Sequence, residues 1–374
     1  MEYVKYGIAG IGGAWMFHSA GARDNDKIRF VSAYDIDERK LKRISRIYDL
    51  EYYTNYDRFL ESEIDAVLIM VPHYLHEQLV VKAAEAGKHV LCEKPMARTL
   101  EECDNMIEAT QEAGVKFMIA ENHRFLPAHK YIAQAVQDGL LGDIFLVRAY
   151  EGVNEIPGLM NPELWKGHPE KAGGGSLMDM GVHKFATIQW ILDDNVESAY
   201  SWLTKQCTDL DEKAEDNAMI FLKYRKGTIV DVVVSFTVVS PPTNSLEIYG
   251  TKGTILENHM MEDPVKIYSN HDKMGEDSGK WVVPEIEHGP FPKYYEISAR
   301  IEDSYFTKCI LEDNTPEFSP QQAREAVATV LLSYLSAQKG YRVSYGELME
   351  IYETQGSQVI LKGILDGIEN NCPK

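Results

Sequence analysis

Gly7-Ile8-Ala9-Gly10-Ile11-Gly12-Gly13-Ala14-Trp15 is the stretch that decides the fold. It ends an apolar run, residues 4–9, and opens a segment of helical periodicity, so its glycines fall at a strand-to-helix turn. Small residues at such a turn let the backbone approach a pyrophosphate closely, which puts Gly10, Ile11, Gly12 and Gly13 at the cofactor. The next apolar run, residues 29–34, leads into Asp35, about 20 residues beyond the turn, where an acidic side chain accepts hydrogen bonds from a ribose diol. A carboxylate there repels a 2′-phosphate and Asp37 adds to that field, so NAD is expected over NADP, with Arg39 the one feature on NADP's side. Trp15 stands where the pattern has a third Gly or Ala, so the turn has a bulky ring to accommodate beside the cofactor.

Outward from this turn the same grammar repeats. Apolar runs at 4–9, 29–34, 51–53, 66–71, 89–92 and 115–120 alternate with helical stretches such as 75–86 and 100–113, closed by Gly87 and Gly114. Thr99 with Glu102 three residues on reads as a capping box. The pattern is that of βαβ units and predicts an α/β fold with a doubly wound parallel sheet.

After Arg124 the grammar changes. A helix at 127–138, a long Gly/Pro-rich loop region and a helix at 181–192 precede alternating strands at 197–205, 218–224, 228–238, 245–249 and 253–257. Helices at 295–311 and 320–338 then lead to a short C-terminal extension. Two domains follow: a dinucleotide-binding domain at 1–123, and an α+β domain with a large, mostly antiparallel sheet at 124–374. Residues 230–238 carry apolar side chains on both faces, so that sheet is expected to be covered by helices on one side and by a second subunit on the other. A homo-oligomer, dimer or tetramer, is implied.

Composition narrows the function classes. The chain has 374 residues, 58 acidic against 38 basic, and a net charge of −20, which repels a phosphate backbone and speaks against nucleic-acid binding. Its apolar stretches fall short of a bilayer span, and residues 1–15 lack the basic and apolar regions of a signal peptide, so a cytoplasmic, membrane-free protein is expected. Five widely spaced cysteines without CxxC pairs read as free thiols, Cys92 as a small buried hydrophobe.

Three segments concentrate polar chemistry: Val71-Pro72-His73-Tyr74-Leu75-His76, Glu93-Lys94-Pro95, and Gly173-Gly-Gly-Ser-Leu-Met-Asp179-Met-Gly-Val-His183. The first two follow parallel strands, and ligands of such sheets bind beyond the strands' carboxyl ends, so Pro72, His73, His76, Glu93 and Lys94 are placed at the cofactor, with Asn122. If 177–190 is helical, Asp179 and His183 share a face. Oxidation of an alcohol needs a base for the hydroxyl proton as hydride leaves carbon, which suits His183, and a cation beside the oxygen, which suits Lys94. Taken singly, each has a bland alternative: Lys94 a surface ion pair, Asp179 a helix-start charge, His183 a satisfied core histidine. An Asp-x-x-x-His pair without a third ligand at recognisable spacing predicts no metal. Arg124, Tyr150 and Trp165 are candidate substrate contacts.

These motifs, with Asn122-His-Arg-Phe125 and Gly139-Leu-Leu-Gly142, resemble the Gfo/Idh/MocA family, named for glucose-fructose oxidoreductase and inositol dehydrogenase, over residues 4 to about 343. The resemblance implies a Rossmann domain and hydride transfer between NAD and a hydroxyl-bearing carbon of a sugar, sugar derivative or cyclitol. It implies a catalytic group of Lys94, Asp179 and His183, with His183 as acid/base, Lys94 assisting at the hydroxyl and Asp179 orienting substrate or histidine. It also implies a cis peptide before Pro95. Trp15 and His73 depart from the family's usual residues. Two further activities stay open by the same resemblance: glycoside cleavage through transient oxidation, and a non-catalytic NAD-binding regulator.

Overall fold

The structure, a computed structural model, describes residues 2–23, 25–206 and 214–370; Cys207 and Cys372 lie outside them. The chain divides into two compact units. The first comprises residues 1–97, 101–125 and 295–324, the second 98–100, 126–294 and 325–374.

The first unit is built on β1 (Val4–Ala9), β2 (Ile28–Tyr34), β3 (Glu51–Tyr53), β4 (Ala66–Ile69), β5 (His89–Glu93) and β6 (Phe117–Ala120). All pair in parallel, in the order β3-β2-β1-β4-β5-β6. The central strands are almost wholly apolar and buried because helices cover both faces of a parallel sheet. The strand order reverses between β1 and β4, which places the carboxyl ends of both, and hence the glycine turn and the segment after Ile69, at the topological switch point.

A boundary after residue 123 leaves the helix Lys293–Leu311 in the C-terminal part of the sequence, yet from Tyr295 onward it packs in the first unit. Its anchors are side chains far apart in sequence: Tyr6 Oη lies 2.9 Å from Thr307 Oγ1, Phe17 packs on Tyr295, and a Cβ on Gly21 would meet Arg300 N at 2.7 Å. Periodicity reveals a helix but not which sheet receives it.

The second unit carries β7 (Ile144–Gly152), β8 (Val196–Lys205), β9 (Asn217–Tyr224), β10 (Ile229–Ser235), β11 (Thr243–Gly250), β12 (Gly253–Glu257), β13 (Val265–Ser269), β14 (Trp281–Val282), β15 (Val343–Ser344) and β16 (Ile368–Asn370). Among the described residues they form one mixed sheet, β14-β13-β12-β11-β7-β10-β9-β8-β15, with β16 beside β8. Only β7–β10 and β8–β16 pair in parallel. β7, at the middle of the sheet, corrects the expected loop region after residue 138. Its alternation is masked by Arg148 and Glu151, a charged residue on each face.

Val147, Ala149, Val230, Val232, Val234, Leu246 and Ile248 form the buried face. The helix Val182–Leu192 lies on this side, since Lys184, itself buried, pairs with Glu151 of β7 at 3.7 Å and hydrogen-bonds Asn244 of β11. The opposite face exposes Trp202, Met219, Phe221, Ile229 and Leu256. No helix among the described residues is long and apolar enough to cross a membrane. Cys92, Cys103 and Cys309 are unpaired and buried, and burial pushes the Cys92 thiol well above its ordinary range, as suits a small hydrophobe.

Candidate active site

In the first unit the glycine turn is shaped by close backbone packing. Gly10 has φ +93°, and a Cβ there would stand 2.5 Å from Met70 O. A Cβ on Gly13 would meet nothing within 4 Å, so this part of the turn is bare backbone with space before it. Asp35, just past β2, is tied to the turn: its Oδ2 accepts from Ile11 N–H at 2.8 Å and its Oδ1 from Asp37 N–H at 2.8 Å. Each carboxylate oxygen keeps a lone pair for a further donor, as a ribose diol requires. Arg39 is engaged with Asp37 at 3.2 Å. A bare turn with a carboxylate beside it fits NAD.

Trp15 answers the problem of its bulk by turning inward. It is 5% exposed and stands edge-on to Phe30 at 5.0 Å and Tyr48 at 5.3 Å. Its side chain is a packing element, so a cofactor contact at this position is left to the main chain beside the turn.

Beyond β4, Pro72 leads into a 3-10 turn, His73–Leu75, in which His73 is buried with its ring 5.6 Å from that of His76. His76 is fully enclosed, with Nδ1 2.9 Å from Pro95 O and Nε2 3.0 Å from Val71 O. Burial pushes its basicity down, so its single N–H donates to one of these carbonyls, and the enclosed ring acts as a strut between the two loops where a cofactor contact was expected. The Lys94–Pro95 peptide is cis. Glu93 Oε2 accepts from Lys94 N–H at 3.2 Å, and Glu93 Oε1 lies 3.2 Å from His18 Nε2. His18 Nδ1 in turn meets Asp303 Oδ1 at 2.8 Å. Burial works against charge on His18, but Asp303 and Glu93 outweigh it and hold the imidazole well above its ordinary range. The sequence offered no signal for this link, because Asp303 arrives on a distant helix.

Asn122 Nδ2 donates to Ser298 Oγ at 3.2 Å. Arg124 is buried over the Phe318 ring at 4.2 Å, and burial lowers its guanidinium to about 10.

In the second unit the glycine-rich segment is clamped on a buried carboxyl group. Glu215 accepts from Gly175 N–H at 3.1 Å, from Leu177 N–H at 2.9 Å and from Tyr334 O–H at 2.9 Å, while its carbonyl accepts from Ser176 N–H at 3.1 Å. A Cβ on Gly174 would strike Tyr334 Oη at 1.9 Å, and one on Gly175 would strike Glu215 O at 1.9 Å. The segment continues as a π-turn, Leu177–Gly181, and then as the α-helix Val182–Leu192. Asp179 and His183 therefore lie on one continuous helical element; Asp179 N–H still bonds Gly175 O at 3.1 Å, but a wider π-turn replaces the expected α-turn between the two residues, a feature that recurs at functional sites.

Lys166, which sequence reasoning passed over in favour of its neighbour Trp165, places Nζ 2.8 Å from Asp179 Oδ2 and 4.0 Å from Glu155 Oε2. Burial disfavours its charge, yet Asp179 and Glu155 raise it above the ordinary lysine range. Trp165 starts the short turn Trp165–Gly167 that carries it. Tyr150 is corrected: alternation along β7 sets it with Arg148 on the open sheet face, opposite Val147, Ala149 and the helix that bears His183.

The description "Oxidoreductase family, NAD-binding Rossmann fold" matches residues 4–121, and the GFO/IDH/MocA C-terminal domain matches residues 129–256. The chain is 32% identical to the 1,5-anhydro-D-fructose reductase of Ensifer adhaerens over 58% of this chain and 64% of that protein. It is 25% identical to the myo-inositol 2-dehydrogenase of Thermotoga maritima over 88% of this chain and 94% of that one. A solved levoglucosan dehydrogenase, in complex with NADH and levoglucosan, superposes with a TM-score of 0.82 at 21% identity, covering 92% of this chain and 99% of the other. By both of its domains the chain belongs to the GFO/IDH/MocA family of NAD-binding oxidoreductases.

Proposed function

We propose that the chain transfers a hydride between NAD and a hydroxyl-bearing carbon of a sugar, sugar derivative or cyclitol. The observation that carries this reading is the pairing, in a family member, of an acidic ribose acceptor at Asp35 with an intact Lys94, Asp179 and His183. Relatives named for anhydro sugars and inositol support the substrate class. When bound, NAD supplies the hydride acceptor at its nicotinamide ring. The protein's part is to move the proton and manage charge: His183 takes the hydroxyl proton, Lys94 stabilises the negative charge growing on that oxygen, and Asp179, gripped by Lys166, orients the group it bonds. Pro72, His73, Glu93 and Asn122 belong on the cofactor side by their positions beyond parallel strands.

We further assign the exposed apolar face of the second sheet to a homo-oligomer, since Trp202, Met219 and Phe221 stand side by side on it. Buried free thiols support a cytoplasmic setting.

The test is NADH formation by the purified chain across a panel of sugars, anhydro sugars and cyclitols. The expected result is turnover on at least one of them, lowered about 10²- to 10⁴-fold by His183→Ala. Full activity in His183→Ala overturns the catalytic assignment, and a silent panel overturns the substrate class.

A further inference from the structure

Apart from the chemistry above, the second unit holds a buried trio of nitrogen and oxygen donors. His129 lies in the first turn of the helix Pro127–Gln137, Glu257 ends β12, and His259 follows two residues later. Their side chains are 1%, 0% and 0% exposed. One donor atom from each residue lies within 4.8 Å of the other two. We propose that His129, Glu257 and His259 form a binding site for a divalent transition ion, zinc above others.

Glu257 extends one oxygen toward each imidazole. Oε1 is 2.7 Å from His259 Nδ1, and Oε2 is 3.6 Å from His129 Nε2. The second spacing exceeds hydrogen-bond length. It is close to the edge of a coordination tetrahedron, since donors 2.0–2.1 Å from zinc stand about 3.3 Å apart. Two imidazoles and one carboxylate make a His₂Glu donor set of the borderline character that zinc prefers to calcium or magnesium, and the ion would take the place of the Glu257–His259 hydrogen bond.

Electrostatics point the same way. A carboxylate wholly removed from water is costly unless a cation compensates it, and a bound ion provides that charge at the spot where the three side chains converge. The two imidazoles meet edge-on at 5.5 Å, Tyr294 closes on His259 at 5.0 Å, and all three side chains of the trio are buried. A site so enclosed leaves the ion's fourth position to water or to the second carboxylate oxygen, not to a substrate. Its role is that of a staple fixing the start of the helix Pro127–Gln137 to the end of β12. No recognisable metal spacing appears in the sequence because the helix histidine and the strand-end pair come from distant segments.

The experiment uses the untagged full-length chain, purified without chelator. Elemental analysis should find about one transition ion per chain. Chelation should lower the thermal midpoint and Zn²⁺ should restore it, whereas Glu257→Gln and His129→Gln should bind no ion and show no zinc-dependent shift. Should those variants fail to fold, the wild type decides alone: Co²⁺ added to the chelated chain gives the visible absorption of a tetrahedral nitrogen and oxygen site. A wild-type chain that carries no ion, shows no midpoint change with Zn²⁺ and yields no Co²⁺ spectrum overturns the proposal and leaves a metal-free carboxylate–imidazole network.

Discussion

Lys166 Nζ and Asp179 Oδ2 stand 2.8 Å apart, and the same ammonium is 5.6 Å from the centre of the Phe236 ring. The pair is only partly exposed, 29% for the lysine side chain and 13% for the aspartate, so solvent screens it incompletely. Removing the cation leaves a carboxylate in a half-dry place without this partner, and Asp179 should turn toward another donor. Lys166→Met should therefore lower kcat/KM on the order of tenfold or more, with Lys166→Arg recovering part of the loss. Steady-state kinetics check this; equal activity in Lys166→Met would make the pair incidental to the chemistry.

Cofactor choice follows from Asp35 and Arg39. Both Asp35 oxygens are anchored by backbone N–H groups, which holds the carboxylate beside the glycine turn, on the proposed ribose side, and the nearby Arg39 is occupied by Asp37. Replacing Asp35 with Ser and Asp37 with Asn removes the repulsion and releases the guanidinium. The double variant should lose kcat/KM with NAD and gain with NADP, each on the order of tenfold. The ratio of the two cofactors' specificity constants is the measurement, and an unchanged ratio would show that discrimination lies elsewhere.

What the sequence made legible was whatever local pattern governs. The parallel strands, the glycine turn and Asp35 were readable because strand burial and turn geometry are written in contiguous residues. β7 escaped because Arg148 and Glu151 interrupt its apolar alternation, although buried Lys184 pairs with one of them. The His18 link to Glu93 and the clamp of Glu215 on the glycine segment escaped for a different reason: each joins residues from distant segments, and a single sequence carries no trace of such proximity. Trp15 and His76 were read as site residues because they occupy motif positions. Burial shows that a residue can sit in a motif and serve it from behind, as packing or as a strut.

Trp15 makes that distinction testable. Restoring a small residue at this position looks, from the motif, like an improvement of the turn. The ring is enclosed against Phe30 and Tyr48, so Trp15→Ala opens a cavity beneath the turn and should cost about 3–5 kcal/mol of stability. Denaturant unfolding measures the loss. Any fraction that stays folded should bind NAD with nearly the wild-type Kd, because the side chain faces away from the turn; a gain in stability would show that the cluster is strained.

Glu215 couples the clamp under the glycine segment to pH. Burial raises the Glu215 carboxyl to about 7, against the Leu177, Tyr334 and Gly175 donors that pull it down. The unfolded chain releases this proton near 4.5, so between pH 4.5 and 7 the folded state binds one proton more than the unfolded state. Stability contributed by this group therefore falls as pH rises through that window and levels off above it, by about 3 kcal/mol at most. Glu215→Gln keeps an oxygen acceptor for Gly175 and Leu177 without a titrating proton. The variant's unfolding free energy, measured against wild type at a series of pH values, should improve relative to wild type between pH 4.5 and 7 and stay parallel on either side. A constant difference across that range would mean that Glu215 is ionised throughout, with its backbone donors outweighing burial.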